Sequence, residues 1–262
     1  IAGAPGPTVA VLAAVHGDGP ITIEVIRQLL RRLEEVDLRD SVLAVPVMNP
    51  LAFEAQTRNT WMDMANLNRL FPGRATGSVS EQMAYAISEN VLNRADAVID
   101  LHSGSHCFIC DYSYVFEDVG FAQAFGSSAV IQWNPIPGTS SSVVHEKGKP
   151  IVIAEFGGGI YREEFYIQKG VRGILNCLRH LEMLPGEITV TPGQITSNKM
   201  SLLRPQHGGL LQPEISAEDI GRTVPKGTVL GQIVSPYTFD VLEEFRAPFE
   251  QNLITLVSSG WV

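Results

Sequence analysis

The chain has 262 residues, 45% of them hydrophobic, and a formal net charge of -9. That size gives one large α/β domain, or one domain with a smaller appendage, with enough apolar side chains for a sizeable core. The acidic balance argues against a nucleic-acid partner, which needs a basic face, and no apolar run approaches the length of a membrane span. Three cysteines make no disulfide framework, so a reducing cytoplasm is the expected setting; the start at Ile1 rather than Met leaves an upstream targeting segment open.

In chain order, Thr8 to Val15 is a nearly continuous apolar run, the pattern of a strand buried on both faces. Ile21 to Leu33 follows with Ile26, Leu29, Leu30 and Leu33 at helical spacing. Ser41 to Met48 predicts a second buried strand, with Pro46 marking an edge or a strand end. Ser80 is the expected N-cap of a helix whose stripe is Met83, Ala84, Ile87 and Val91. Ala97 to Leu101, Ala129 to Trp133 and Ile151 to Phe156 predict further strands, and Val171 to Leu181 a helix with Ile174, Leu175, Leu178 and Leu181 inward. This alternation predicts an α/β fold: a mixed, mostly parallel sheet flanked by helices. The pattern changes at Leu184-Pro185-Gly186, beyond which short β-like stretches alternate with turns. The expected division is therefore a catalytic domain over 1–187 and a small β-rich C-terminal appendage over 188–262.

Two histidines stand at the ends of predicted strands, His16 in VLAAVHGDG and His102 in AVIDLHSGS. Ligands of open α/β sheets bind outside the carboxyl ends of the strands, so both imidazoles can meet one metal there. A third strand end carries Glu155, followed by three glycines that let the backbone approach a ligand closely. A carboxylate beside a zinc-activated water is the usual general base of hydrolysis. A single strand-end histidine is more often structural; three such groups at three strand ends are the stronger signal. Arg58 to Gly73 is polar and weakly periodic, and its Arg58, Asn68 and Arg69 are candidates to grip a carboxylate, against a reading as solvated surface that prevails for Arg58 taken alone.

Together HGD, NLNRLFPG, DLHSG and EFGGG resemble the succinylglutamate desuccinylase/aspartoacylase family, relatives of the zinc carboxypeptidases, in order and spacing over roughly residues 8 to 180. The C-terminal part is also similar to that family's β-rich end. The resemblance implies a carboxypeptidase-like core, one zinc ion per chain held by His16 and His102, Glu155 as general base, and Arg58, Asn68 and Arg69 on the substrate. The implied reaction is removal of an acyl group from the nitrogen of a small N-acylated amino acid or related compound. Acetyl, succinyl and aspartyl-type substrates stay open, with the ectoine-degradation deacetylases as one subgroup. The implied partner is that small molecule, without nucleic acid or membrane, and a homo-oligomer is compatible with it.

One departure stands out. The family's first motif is H-x-x-E, with the Glu as a zinc ligand, and here that position is Gly19. Either the ligand has been lost in a weakened or inactive relative, or a few residues that belong after Asp18 are missing from the sequence. The second is preferred, because the other motifs are intact, and it predicts a spatial gap between Asp18 and Gly19. The alternative functions are an inactive small-carboxylate binding protein on the same fold and a metallocarboxypeptidase acting on peptides. Other motifs carry less. Cys107 and Cys110 lack the second pair of a structural zinc site, with His106 placed near the site mouth. Gly138 to Ser142 is not a nucleophile elbow but remains a candidate substrate loop. His145 and Glu146 fit a polar surface turn, and Asn198-Lys199-Met200 is assigned no chemistry.

Overall fold

The structure, a computed structural model, describes residues 4–105, 108–158 and 163–258. Strands β1 (Ala4–Leu12), β2 (Arg39–Val45), β3 (Ala97–Gly104), β4 (Phe108–Val115), β5 (Ala129–Gln132), β6 (Ile151–Gly158) and β7 (Ile195–Ser197) run in the order β2-β1-β3-β6-β4-β5-β7. Pairing is parallel except between β4 and β6. The sheet is therefore mixed and mostly parallel, as expected, and β2 ends just before Pro46 at its edge.

The alternation of each central strand sorts its side chains to two helical layers. Val9 and Val11 face helices α1 (Ile21–Leu33), α4 (Val119–Phe125) and α6 (Glu163–His180). Ala10 and Leu12 face α3 (Val79–Ile87), α5 (Ser140–Glu146) and the apolar side chains Met48, Leu67 and Phe71. A short α2 (Pro50–Ala55) precedes Arg58. Full burial of a Leu, Ile or Phe side chain contributes about 1.5–3 kcal/mol, and both layers are built from such residues.

Three boundaries differ from the sequence reading. Strand β1 stops at Leu12, and the chain leaves the sheet at Ala14, which has φ 51. The helix cap is Ser78, whose hydroxyl and Glu81 form a capping box; Ser80 is buried, with its hydroxyl 2.7 Å from Thr60 and 2.8 Å from Asp63. Helix α6 begins at Glu163, because its first turns bury Tyr166 and Ile167 within a polar-looking stretch.

The C-terminal part contains β8 (Leu210–Pro213), β9 (Thr223–Pro225), β10 (Val229–Val234), β11 (Val241–Arg246), β12 (Gln251–Leu253) and β13 (Leu256–Ser258). Two small antiparallel sheets, β11-β10-β8 and β12-β9, are formed there. Two strands beyond residue 188 join the main sheet: β7 beside β5, and β13 beside the first residues of β4. Cys110 is a buried packing residue of β4; His106 and Cys107 lie outside the described residues.

Candidate active site

Strands β1, β3 and β6 are adjacent and parallel, so their carboxyl ends open at one place. His102 is in register with Glu155, and Asp100 lies two residues earlier on the same face of β3. His16 follows the turn beyond β1, with its ring centroid 5.6 Å from that of His102. The three strand-end groups predicted from sequence thus converge.

The His16 turn depends on close backbone contact. A Cβ on Gly17 would lie 2.0 Å from the carbonyl oxygen of Ala52, so only glycine fits against α2. The Gly17 amide donates to Thr57 O at 2.9 Å, which brings the next residue, Arg58, beside the histidine. Arg58 Nη1 is 3.4 Å from His16 Nδ1, and Asn66 Oδ1 is 3.2 Å from His16 Nε2. A guanidinium only donates and an amide oxygen only accepts. The tautomer follows: Nε2–H donates to Asn66, and Nδ1 carries a lone pair. Burial and the charges of His102 and Arg58 lower the His16 pKa to about 3, so the ring is neutral.

His102 behaves in the opposite way. Burial opposes its charge, but Asp100 and Glu155 outweigh burial and raise its pKa to about 9. Its Nε2 is 3.4 Å from Asp100 Oδ1 and its Nδ1 is 3.9 Å from Glu155 Oε1. Burial raises the Glu155 carboxyl above its usual range. Asp100 is also buried, yet His102 and the Ser140 hydroxyl, 2.6 Å away, hold its carboxyl below the usual range.

The polar segment divides. Arg58 is exposed and touches His16. Asn68 is buried, and its side-chain oxygen accepts the Ser140 amide at 3.0 Å, tying the loop to α5 and, through Ser140, to Asp100. Arg69 is exposed and donates to the backbone oxygen of Asn68; among the described residues it makes no contact with His16, His102 or Glu155. The Gly138 to Ser142 segment therefore supports the site through Ser140.

The sequence alone does not single out Asn66, Asp100 or Tyr112, and it includes Ser140 only within the candidate loop Gly138 to Ser142. Asp100, two residues before His102 within a strand, carried a usable signal, since a ligating histidine commonly has a carboxylate partner. Tyr112 pairs with Glu155 across β4 and β6. Burial, then the Glu155 charge, raises its phenol pKa. Its ring packs on Tyr114, whose hydroxyl is 3.5 Å from the sulfur of Met200, so the C-terminal part reaches the wall beside Glu155. Gly158 serves the protein backbone: a Cβ there would lie 1.9 Å from Phe108 O.

The donors fit a zinc ion at two positions. Each Nε2 faces an oxygen, on Asn66 or Asp100, so Nδ1 is the nitrogen that would meet a cation; Arg58 Nη1 now lies 3.4 Å from that of His16 and Glu155 Oε1 3.9 Å from that of His102. The third position is not supplied. Among the described residues no group of three His, Cys, Asp or Glu gathers as a metal site. Asp18 is followed by Gly19 and by Pro20 at the start of α1. Gly19 packs on Ser103, whose buried hydroxyl has no hydrogen-bond partner among the described residues.

Comparison with known proteins gives a consistent picture. The N-alpha-acetyl-L-2,4-diaminobutyric acid deacetylase of Halomonas elongata is 31% identical over 261 residues, covering 94% of this chain and 74% of that protein. A succinylglutamate desuccinylase from Silicibacter sp. TM1040 superposes with a TM-score of 0.83 at 27% identity, over 98% of this chain and 83% of the other. The product-bound Ectoine utilization protein EutE (DoeB) of Ruegeria pomeroyi gives 0.80 at 26% identity, over 98% and 84%. Residues 5–181 match the succinylglutamate desuccinylase/aspartoacylase catalytic domain, and the chain belongs to that family.

Proposed function

We propose that this chain is a zinc-dependent hydrolase that removes an acyl group from the nitrogen of a small N-acylated amino acid. The observation that carries the proposal is the convergence of His16, His102 and Glu155 at three adjacent strand ends, each histidine facing an oxygen at 3.2 or 3.4 Å. The deacetylase activity named for the Halomonas relative supports the same reaction class.

His16 and His102 would hold the ion through Nδ1. Zinc, when bound, supplies Lewis acidity that makes water a nucleophile near neutral pH. Glu155 takes a proton from the attacking water, the water oxygen joins the acyl carbon, and the carbon–nitrogen bond breaks. Glu155 then delivers that proton to the leaving nitrogen, so the products are a carboxylic acid and a free amine. Its burial-raised pKa suits a group that accepts and returns a proton. Arg58, beside His16, is placed to pair with the substrate carboxylate, and Arg69 extends from the neighbouring loop. The oxygen of Asn68 is committed to Ser140, so its substrate contact falls to the amide nitrogen. We assign the cytoplasm as the site of action, with this core over 1–187 and the β-rich part over 188–262.

One observation favours the second reading, an inactive carboxylate-binding protein: no side chain at Gly19 completes the metal site. Metal analysis and turnover of the purified full chain decide between the two. Stoichiometric zinc, with release of amine from an N-acetyl or N-succinyl amino acid, supports the deacylase. In that protein Glu155→Gln should retain the metal and lose about 10²- to 10⁴-fold in turnover. A chain without zinc or turnover that still binds the amino acid supports the binding protein. Cleavage confined to C-terminal peptides supports a carboxypeptidase.

A further inference from the structure

A second polar cavity lies on the other face of the sheet. In the antiparallel register of β4 and β6, Tyr112 is opposite Glu155, and Asp111 is opposite Phe156. Alternation therefore turns Asp111 away from the site above and toward α6. There it borders a cavity of about 330 Å³, lined also by Ser128, Lys169, Arg172, Thr189 and Glu218.

The charges in this cavity are not all used by the fold. Lys169 is buried and its ammonium is 2.5 Å from Asp111 Oδ2, which also accepts the Ser128 hydroxyl and, at 3.3 Å, the Ser128 amide. A buried ammonium needs such a partner, but the pairing uses one of three N–H donors. Arg172 lies one turn further along α6 and lines the same cavity. Glu218 comes from the short 3-10 turn Ala217–Asp219 of the C-terminal part. Neither Arg172 nor Glu218 has an ion-pair partner among the described residues. The cavity thus has cations on α6 and a carboxylate on a separate element, with room for a small polar molecule.

We infer that this cavity binds a small free amino acid as its zwitterion, the carboxylate on Arg172 and Lys169 and the ammonium on Glu218. A guanidinium grips a carboxylate in a bidentate fork, and opposite charges on separate walls set the orientation. Such a ligand bridges α6 to the C-terminal part. The source is either the amine product of the chain's own reaction class or an unrelated amino acid of the same chemistry.

The test is calorimetric titration of the full chain with L-alanine, L-2,4-diaminobutyrate and propionate, in wild type, Arg172→Gln and Glu218→Gln. Both substituted side chains are exposed, which keeps folding intact, and both lie outside the proposed catalytic machinery. The expected result is saturable binding of the amino acids, weakened at least about tenfold by Arg172→Gln and by Glu218→Gln, with propionate bound more weakly than alanine. Binding that persists unchanged in both variants belongs elsewhere and overturns the assignment. So does an absence of saturable binding in wild type, or propionate bound as tightly as alanine. Preference for diaminobutyrate over alanine would point to a product as the source, and the reverse to another amino acid.

Discussion

Asn66 holds His16 by an oxygen 3.2 Å from Nε2, and the same oxygen accepts the amide of Asn68 at 3.0 Å. One side chain therefore fixes both the histidine tautomer and the loop that carries Arg69. Removing an outer partner of a ligating histidine commonly weakens metal binding about 10- to 100-fold. Asn66→Ala should lower zinc affinity by that factor while the fold persists, measured by competition with a chelator of known affinity. Unchanged affinity would separate Asn66 from the metal site.

Gly17 is the backbone counterpart of that contact. Its missing Cβ admits the carbonyl of Ala52, and its amide anchors Thr57 ahead of Arg58. Gly17→Ala forces α2 away from the turn, because the obstructing atom is backbone and cannot rotate aside. The expected loss is about 1–3 kcal/mol for an overpacked site, read as a lower denaturant midpoint. Substrate binding should fall as well, since Arg58 moves with α2. A midpoint equal to wild type would show that the turn relaxes freely.

Arg69 tests the substrate side. Arg69→Lys keeps the charge and loses the planar fork, and the side chain is exposed, so stability should be unaffected. On a confirmed substrate the Michaelis constant should rise by the equivalent of about 1–3 kcal/mol, the range for a charged hydrogen bond. An unchanged constant would assign the carboxylate to Arg58 alone.

The parts of the site that could be read from sequence are those attached to parallel strands. His16, His102 and Glu155 end apolar runs, and the topology of such sheets forces their ends together. Asn66 lies in a loop and Ser140 at the first turn of α5, where position depends on tertiary contacts such as Asn68 with Ser140. Tyr112 was hidden because β4 runs against its neighbour β6, and nothing local in a sequence encodes which strand lies beside which. Ser80 was mistaken for a cap because Ser78 precedes it with the same chemistry, and only the Glu81 contact separates them. Beyond Leu184 to Gly186 the described elements are strands and one short 3-10 turn, and the pairing of β7 and β13 with the main sheet is long-range and left no local trace.

The two histidines make opposite contributions to the pH dependence of stability in metal-free protein. His16 titrates at about 3 when folded, below its ordinary 6.5. Between those values the unfolded chain holds a proton that the folded chain does not, so stability falls as pH drops from 6.5 toward 3. His102 titrates at about 9 when folded. Its stabilising charge is fully present below 6.5 and is lost as pH rises from 6.5 toward 9. Each effect amounts to at most about 1.4 kcal/mol per pH unit, and together they place a maximum near pH 6.5. The lowered Asp100 carboxyl adds to the loss on the acid limb and the raised Glu155 carboxyl opposes it, so the comparison must be with single variants. His102→Gln should flatten the decline on the alkaline side, and His16→Gln should reduce the loss on the acid side. Denaturant midpoints measured from pH 4 to pH 9 in the presence of a chelator would show this. A wild-type alkaline limb that survives His102→Gln unchanged would mean that Asp100 and Glu155 do not hold a proton on that imidazole.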